Sequence, residues 1–406
     1  MRHDHKTTTC ATSSHFQDGD LKTSMILPMN PLTSIHVSKT RSHKLKAVML
    51  FSLALLGTVY SAQTITSPIH TATGASQVFD YLTIVLMENN ALCDILTTTV
   101  GGCGGTGSGT YMTTLATTYG LATHYTGISH PSQPNYMTLT GGDTFVSGDG
   151  NCCFQVSASN IIDRIEASGR TWKAFAEDAT GSGCPDSSFS NGGFQPPRKA
   201  DHFPLLEFSD VNTTSRCANF LTTSSPNDQE FIDALNGSNP PSFLWLTPND
   251  RDNMHSSSVS TGDSYLANLV PKILGSTTFT TKNAALLVVF DEGSDSCPSA
   301  PSGDDCVYAT WAGPFVKHGF SSNAQYNHYS FLKTLETVWS MPNLTSNDEG
   351  ASPMTEFFQA NAQPPGPSPS NWLWIVLPGT AVAALGLVIG LAILSRRKRT
   401  HPTVQH

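Results

Sequence analysis

No two cysteines in this chain are spaced as Cys-x-x-Cys, and no glycine-rich run is followed by a Lys-Ser or Lys-Thr pair. The first absence removes the usual signature of a zinc cluster. The second removes a phosphate-cradling loop: "GGCGGTGSGT" (101–110) has the glycines but neither a strand pattern before it nor the lysine after it. It reads as a flexible loop. Basic residues are also scarce, with 22 Lys and Arg against 31 Asp and Glu and a formal net charge of −9. The imbalance is steeper between residues 63 and 371, because half of the Lys and Arg lie outside that stretch. A surface of that sign repels a phosphate backbone, which argues against nucleic-acid binding. No internal repeat is present.

The two ends of the 406-residue chain do not read as globular structure. "SHKLKAVMLFSLALLGTVYSAQT" (42–64) has basic Lys44 and Lys46, an apolar core from Ala47 to Leu56, and small residues at Ser61 and Ala62. That pattern is a secretory signal, so residues 1–62 are assigned to a leader and signal peptide. Near the other end, the uncharged apolar run 372–394 is followed at once by "SRRKR". A run of that length spans the roughly 30 Å hydrocarbon core as a helix, with the basic flank, 395–406, on the cytoplasmic side. The proline-rich stretch 359–371 reads as an extended stalk. The expected topology is a folded domain over 63–358, outside the cell membrane and held there by a single span after passage through the secretory pathway.

Cysteine usage agrees with that compartment. Beyond Cys10 in the leader, eight cysteines remain, an even number that reads as disulfides in an exported domain. Cys93 with Cys103 and Cys297 with Cys306 are candidate local bridges; the pairing as a whole stays open. Asn-x-Ser/Thr triplets at Asn212, Asn236 and Asn343 are compatible with an exterior location.

Between residues 78 and 345 short apolar runs alternate with longer helical patterns, which predicts an α/β domain around a largely parallel sheet buried on both faces. Four of these runs end in polar ligand types. "YLTIVLMENN" (81–90) ends in Glu88, Asn89 and Asn90; "TWKAFAED" (171–178) ends in Glu177 and Asp178. "SFLWLTPNDRDNMH" (242–255) ends in Asn249, Asp250, Asp252, Asn253 and His255, and "AALLVVFDEG" (284–293) in Asp291 and Glu292. Ligand sites of open α/β sheets lie at the carboxyl ends of strands. Adjacent carboxylates at the mouth of a low-dielectric crevice repel one another unless a cation compensates, so a divalent metal is predicted.

"GISHPSQPNYMTLTGG" (127–142) places Ser132 between two prolines, with Asn135 behind it. One reading is a helix cap, with Pro134 in the first turn. The other is a nucleophile at a helix N-terminus, where backbone N–H groups favour an anion.

Taken in order, "MENN", "HPSQPNYMTLTGG", "VVFDEG" and "YNHYSFLKTLETVW" (326–339) resemble the phosphoesterase family of acid phosphatases and bacterial phospholipases C, within the alkaline phosphatase superfamily. Weaker likenesses occur at "TPNDRDNMH" and at "GDSYLANLVPKIL" (262–274). The resemblance implies an α/β/α sandwich, Ser132 as the nucleophile that becomes phosphorylated, and Glu88, Asn89, Asp291 and Glu292 as metal ligands. It also implies Asn135 as a donor to a phosphate oxygen. His328, His255 and His202 are implied as phosphoryl contacts or proton donors to the leaving oxygen. The chemistry suits those types: a serine hydroxyl attacks poorly unless a cation favours its alkoxide, and charge developing on phosphoryl oxygens needs fixed donors.

Where the family places an aspartate two residues before its histidine, Asn253 stands here. The expectation is therefore one oxygen-dominated metal site, for Mg, Ca or Mn, with Zn the choice if histidine takes part. His328 has a second reading, as the cap of the helix that follows, and Lys333 and Glu336 at helical spacing read as surface residues. Together these features predict a membrane-anchored, extracytoplasmic, acid-phosphatase-like phosphomonoesterase acting on a phosphorylated small molecule or lipid. A phospholipase C-type phosphodiesterase is the runner-up. An inactive surface recognition or adhesion protein is the alternative from another class.

Overall fold

A strand buried along its whole length needs cover on both faces, because successive side chains point to opposite sides. Ala284–Phe290 meets that condition at all seven residues, and Tyr81–Met87 at six of seven. The computed structural model of the chain describes residues 78–150, 153, 156–186, 188–298 and 305–359. The leader, most of the stalk, the apolar run 372–394 and the basic tail lie outside the described residues. Among the described residues, no helix is long and apolar enough to cross a membrane.

In chain order the strands are β1 (Tyr81–Met87), β2 (Gly120–Ala122), β3 (Tyr125–Thr126), β4 (Trp172–Glu177) and β5 (Phe220–Thr223). They continue as β6 (Phe243–Thr247), β7 (Ala284–Phe290), β8 (Ala309–Ala312), β9 (Phe320–Ser322) and β10 (Tyr326–Asn327). Eight of them form one sheet in the order β5-β4-β6-β1-β7-β8-β2-β9. Only β8 runs against its neighbours. β3 and β10 pair separately. The four apolar runs singled out in the sequence are β4, β6, β1 and β7, which lie side by side. Their registers, Leu82 with Phe243 and with Ala285 and Lys173 with Leu244, bring their carboxyl ends to one edge.

Two sets of helices accompany the sheet, and the expected α/β class with a mostly parallel sheet is present. In one set the helix Thr110–Thr118 packs on Val259–Leu274. The Asp263 carboxylate fastens the two by accepting the amides of Tyr111 and Met112 at 2.9 and 2.8 Å. In the other set the fully buried helix Ser132–Gly141 packs on His328–Trp339. At the amino edge, Phe79 and Phe358 meet with ring centroids 5.3 Å apart, against Trp311 and Trp339.

The two local disulfides, Cys93–Cys103 and Cys297–Cys306, are present, and Cys184–Cys217 joins them. Asn212 corrects one expectation. It is buried, and its amide donates to the carbonyls of Leu205 and Leu206, so the folded chain gives a glycan no room there. Asn236 is exposed.

Glu336 corrects another. Instead of facing solvent it is 2% exposed, and its carboxylate and that of Asp348 both accept the amide of Leu344, at 3.1 and 2.8 Å. The same turn holds the end of the Ser132 helix, because Thr345 Oγ1 donates to the Gly142 carbonyl at 2.9 Å. Burial and the neighbouring Asp348 push Glu336 up to about 8 from an ordinary 4.5. The folded state thus keeps a proton that the unfolded chain releases near 4.5. The stability this contributes is complete below that pH and is lost as pH rises through about 8. Unfolding free energies from urea titrations across this range should fall with rising pH, by at most about 1.4 kcal/mol per pH unit for this one proton. Glu336→Gln should flatten that part of the slope; an unchanged slope would show that the pair does not hold the proton.

Candidate active site

Parallel pairing of β1 with β7 sets Met87 beside Phe290, so the residues that follow them, Glu88 and the Asp291–Glu292 pair, leave the sheet together. Backbone bonds hold this junction. Asp291 N donates to the Met87 carbonyl at 3.1 Å, and Glu88 N donates to the Asn253 carbonyl at 2.9 Å. Asn89 takes a left-handed φ of 59°, and its amide donates to Asp291 Oδ1 at 3.1 Å. Its own side chain points to the exposed side.

Ser132 is the first residue of its helix and does not cap it. The residue before the helix is the extended Pro131, and the Gln133 amide is taken by Asp149 Oδ1 at 2.8 Å. The serine hydroxyl is thereby free to face the acids: Oγ lies 3.0 Å from Glu88 Oε2 and 3.2 Å from Glu292 Oε1. A single hydroxyl hydrogen satisfies only one of these two acceptors.

Glu88 and Asp291 are both fully buried, and Glu88 Oε1 and Asp291 Oδ2 have no hydrogen-bond partner. Burial, reinforced by Glu88 and Glu292, raises Asp291 well above the carboxylate range. Burial likewise raises Glu292 to about 7, against the opposing pull of His130. Such a group of acids binds protons or a cation, and buried oxygens without partners are what a divalent ion would satisfy. The donor set fits the metal the sequence predicts.

Histidines close the other side of Glu88. His202 Nε2 lies 3.0 Å from Glu88 Oε1, yet neither atom has hydrogen-bond geometry to a partner. Burial disfavours the charged form of His202, but Glu88 and Asp250 outweigh it and lift the imidazole to about 9. Tyr136, one turn along from Ser132, stacks on His202 at 5.4 Å. One ligand atom each from Glu88, His202 and His255 lie within 4.8 Å of one another. A second histidine-bearing ligand group therefore exists here despite Asn253. That asparagine instead shapes the loop: its Oδ1 accepts the His255 amide at 2.8 Å, and its Nδ2 lies 3.5 Å from His202 Nδ1.

Two other predicted residues have different company. Asn135 Oδ1 accepts the amides of Ile128 and Ser129 at 2.8 and 3.1 Å, and its Nδ2 donates to the Ser129 carbonyl at 2.6 Å. It braces the loop that delivers Ser132, with one weak reach of 3.5 Å to Glu292 Oε2. His328 is fully buried, and the helix cap beside it is Asn327. Its Nε2 lies 2.6 Å from the Asp291 carbonyl and its Nδ1 3.2 Å from Tyr125 Oη, so both ring nitrogens are engaged. Burial pushes His328 down to about 4, and the contact with the Asp291 carbonyl only partly opposes this. It positions the strand end.

The structure adds residues that sequence reasoning passed over. His130, two before Ser132, is 58% exposed and pairs with Glu292 Oε2 at 2.9 Å and Asp305 Oδ2 at 3.3 Å. Its place inside the most informative run was a usable signal. Arg198, with Nη2 at 3.2 Å from His255 Nε2, sits in a stretch without periodicity and gave none.

An α/β sheet whose carboxyl edge gathers a serine, three carboxylates and two histidines defines a hydrolase-like site. The chain belongs to the phosphoesterase family, which it matches over residues 106–342. It is 29% identical over 238 residues to the phosphate-repressible acid phosphatase of Penicillium chrysogenum, covering 57% of this chain and 55% of that one. It is 26% identical over 291 residues to the phosphatidylinositol-3-phosphatase of Mycobacterium tuberculosis, covering 71% of this chain and 85% of that one. The chain spans about half the length of the fungal and yeast acid phosphatases it matches. Among solved structures, a Vibrio parahaemolyticus protein of the alkaline phosphatase superfamily aligns at a TM-score of 0.46 and 13% identity, over 68% of this chain and 70% of that one.

The bond from His328 to the Asp291 carbonyl gives a direct test. His328→Phe leaves that buried carbonyl unsatisfied and should cost about 1–3 kcal/mol in urea unfolding, with Tyr125→Phe costing less. If His328→Phe unfolds at the wild-type urea concentration, that bond contributes nothing.

Proposed function

We propose that this domain is a metal-dependent phosphoesterase that hydrolyses phosphomonoesters through a phosphorylated Ser132, in the manner of an acid phosphatase. The observation that carries the reading is the Ser132 hydroxyl. It sits at the first position of a helix whose cap comes from elsewhere, between Glu88 and Glu292. A simple cap would turn toward the helix amides instead.

Glu88, Asp291 and Glu292, with Asn89 beside them and His202 across Glu88, are the residues that would hold the divalent ion. When bound, that ion supplies positive charge that favours the serine alkoxide and offsets charge on the phosphoryl oxygens. The protein's own steps are then simple. Ser132 Oγ bonds to phosphorus as its proton passes to a carboxylate in contact with it, and the bond from phosphorus to the leaving oxygen breaks. His255, whose buried Nδ1 has no hydrogen-bond partner, is the proposed donor of a proton to that oxygen. A water then attacks phosphorus and passes a proton to His255, the serine–phosphorus bond breaks, and Oγ regains its proton from the carboxylate.

The substrate class is a phosphorylated small molecule or lipid, and the mycobacterial relative's name makes a phosphoinositide monoester one to include. The signal-like leader and the apolar run 372–394 support a domain outside the cell membrane and anchored to it. The Asp291 oxygen buried without a hydrogen-bond partner, beside Glu88 and Glu292, weighs against an inert recognition module, which has no need of a cation cage.

With p-nitrophenyl phosphate as substrate, Ser132→Ala should lose at least roughly a thousandfold in kcat/KM. A chelator should silence the wild type, and added divalent metal should restore it. Wild-type turnover by Ser132→Ala would rule out the serine as nucleophile, and full activity after exhaustive chelation would rule out the metal.

A further inference from the structure

We propose that Arg198 is the specificity-determining residue of this site: its guanidinium reads the additional charged oxygen of a phosphomonoester and so separates monoesters from diesters. This inference rests on the phosphoesterase reading above.

The candidate site is otherwise built from carboxylates and imidazoles. Among the described residues, Arg198 is the Arg or Lys whose side-chain contacts reach that set, through Nη2 at 3.2 Å from His255 Nε2 and Nε at 4.0 Å from Asp250 Oδ2. The second distance is too long for a hydrogen bond. Arg198 Nε is in fact buried without any hydrogen-bond partner, a donor left over in a strongly acidic neighbourhood. The side chain as a whole is 33% exposed, so one part of the fork meets solvent while another is fixed inside.

Arg198 connects to the nucleophile by a short relay. His255 shares a ligand group with Glu88, and Glu88 accepts from Ser132 Oγ at 3.0 Å. The chain supports the placement. Arg198 begins the turn Lys199–Asp201, Ala200 is buried beneath it, and His202 ends it, so one rigid turn delivers both the guanidinium and the imidazole. Asp201 fixes that turn by accepting the Gly150 amide at 2.7 Å.

Substrate chemistry supplies the acceptor. A bound monoester has three non-bridging oxygens and, above a second pKa of about 6, two negative charges. A diester replaces one of those oxygens with an alkoxy group and keeps one charge. A planar guanidinium fork, permanently charged and suited to two-point contact with phosphate oxygens, discriminates between them; an ammonium does so less well. If Arg198 served only as an ion-pair partner that steadies Asp250, its loss would affect both ester types alike.

The test uses the full chain and two variants, Arg198→Met and Arg198→Lys. Each is assayed with p-nitrophenyl phosphate and bis-p-nitrophenyl phosphate at about pH 5 and about pH 7.5, on either side of the second phosphate pKa. The ratio of monoester to diester kcat/KM should fall by roughly a hundredfold in Arg198→Met, more at the higher pH, and recover in part in Arg198→Lys. A ratio equal to the wild type's, at either overall activity, would overturn the assignment. Calorimetry with inorganic phosphate on the metal-loaded proteins gives a readout without turnover: affinity should drop at least about tenfold in Arg198→Met. If the wild type hydrolyses neither ester, the functional reading fails by itself, and unchanged phosphate affinity separately overturns Arg198. Should Arg198→Met not fold, Arg198→Lys decides, with a wild-type ratio and wild-type phosphate affinity counting against the proposal.

Discussion

Holding Glu88, Asp291 and Glu292 together at the end of two adjacent strands is electrostatically unfavourable, because two of the three are fully buried and repulsion in a low-dielectric environment is strong. The surrounding fold works against that repulsion. Parallel pairing of β1 and β7 imposes the proximity, and the Asn89 amide, the His202 imidazole and the Ser132 hydroxyl each offer a hydrogen or positive charge to one of the acids. What remains uncompensated is where the proposed cation would sit.

The backbone around this junction is accordingly constrained. The Asp291 main chain is held by Met87 on one side and His328 on the other, while Asn253 anchors Glu88. The Cys306 carbonyl accepts the Leu92 amide, so the Cys297–Cys306 disulfide braces the segment just beyond Glu88. Functional precision here comes from main-chain bonds between segments far apart in sequence, since the acids themselves would separate if released.

The central strands were legible because they are buried on both faces and so carry unbroken apolar runs, each closed by an acid or amide. β2, β3, β8, β9 and β10 were not, being two to four residues long and shaped by pairing rather than by pattern. Glu88, Ser132, Asp291 and Glu292 were legible as a set because strand ends and a helix start concentrate them. Asn135 and His328 stood out in the sequence as site candidates, but their shortest hydrogen bonds are to the backbone, at the Ser129 and Asp291 carbonyls, which no local pattern reveals. Glu336 looked solvent-facing three residues after Lys333; its burial depends on Asp348, brought back by a turn. Cys184–Cys217 spans 33 residues, and such a pairing depends on tertiary proximity alone.

The aromatic contact of Phe79 with Phe358 has a geometric consequence. Phe79 precedes β1, and Gln359 donates to the carbonyl of Phe315, beyond the end of the reversed strand β8, so both ends of the domain leave from the amino edge. Ser132 and its acids lie at the opposite edge. The described chain therefore enters and leaves on the side of the sheet away from the candidate site, and its first and last described residues do not crowd the serine and its acids.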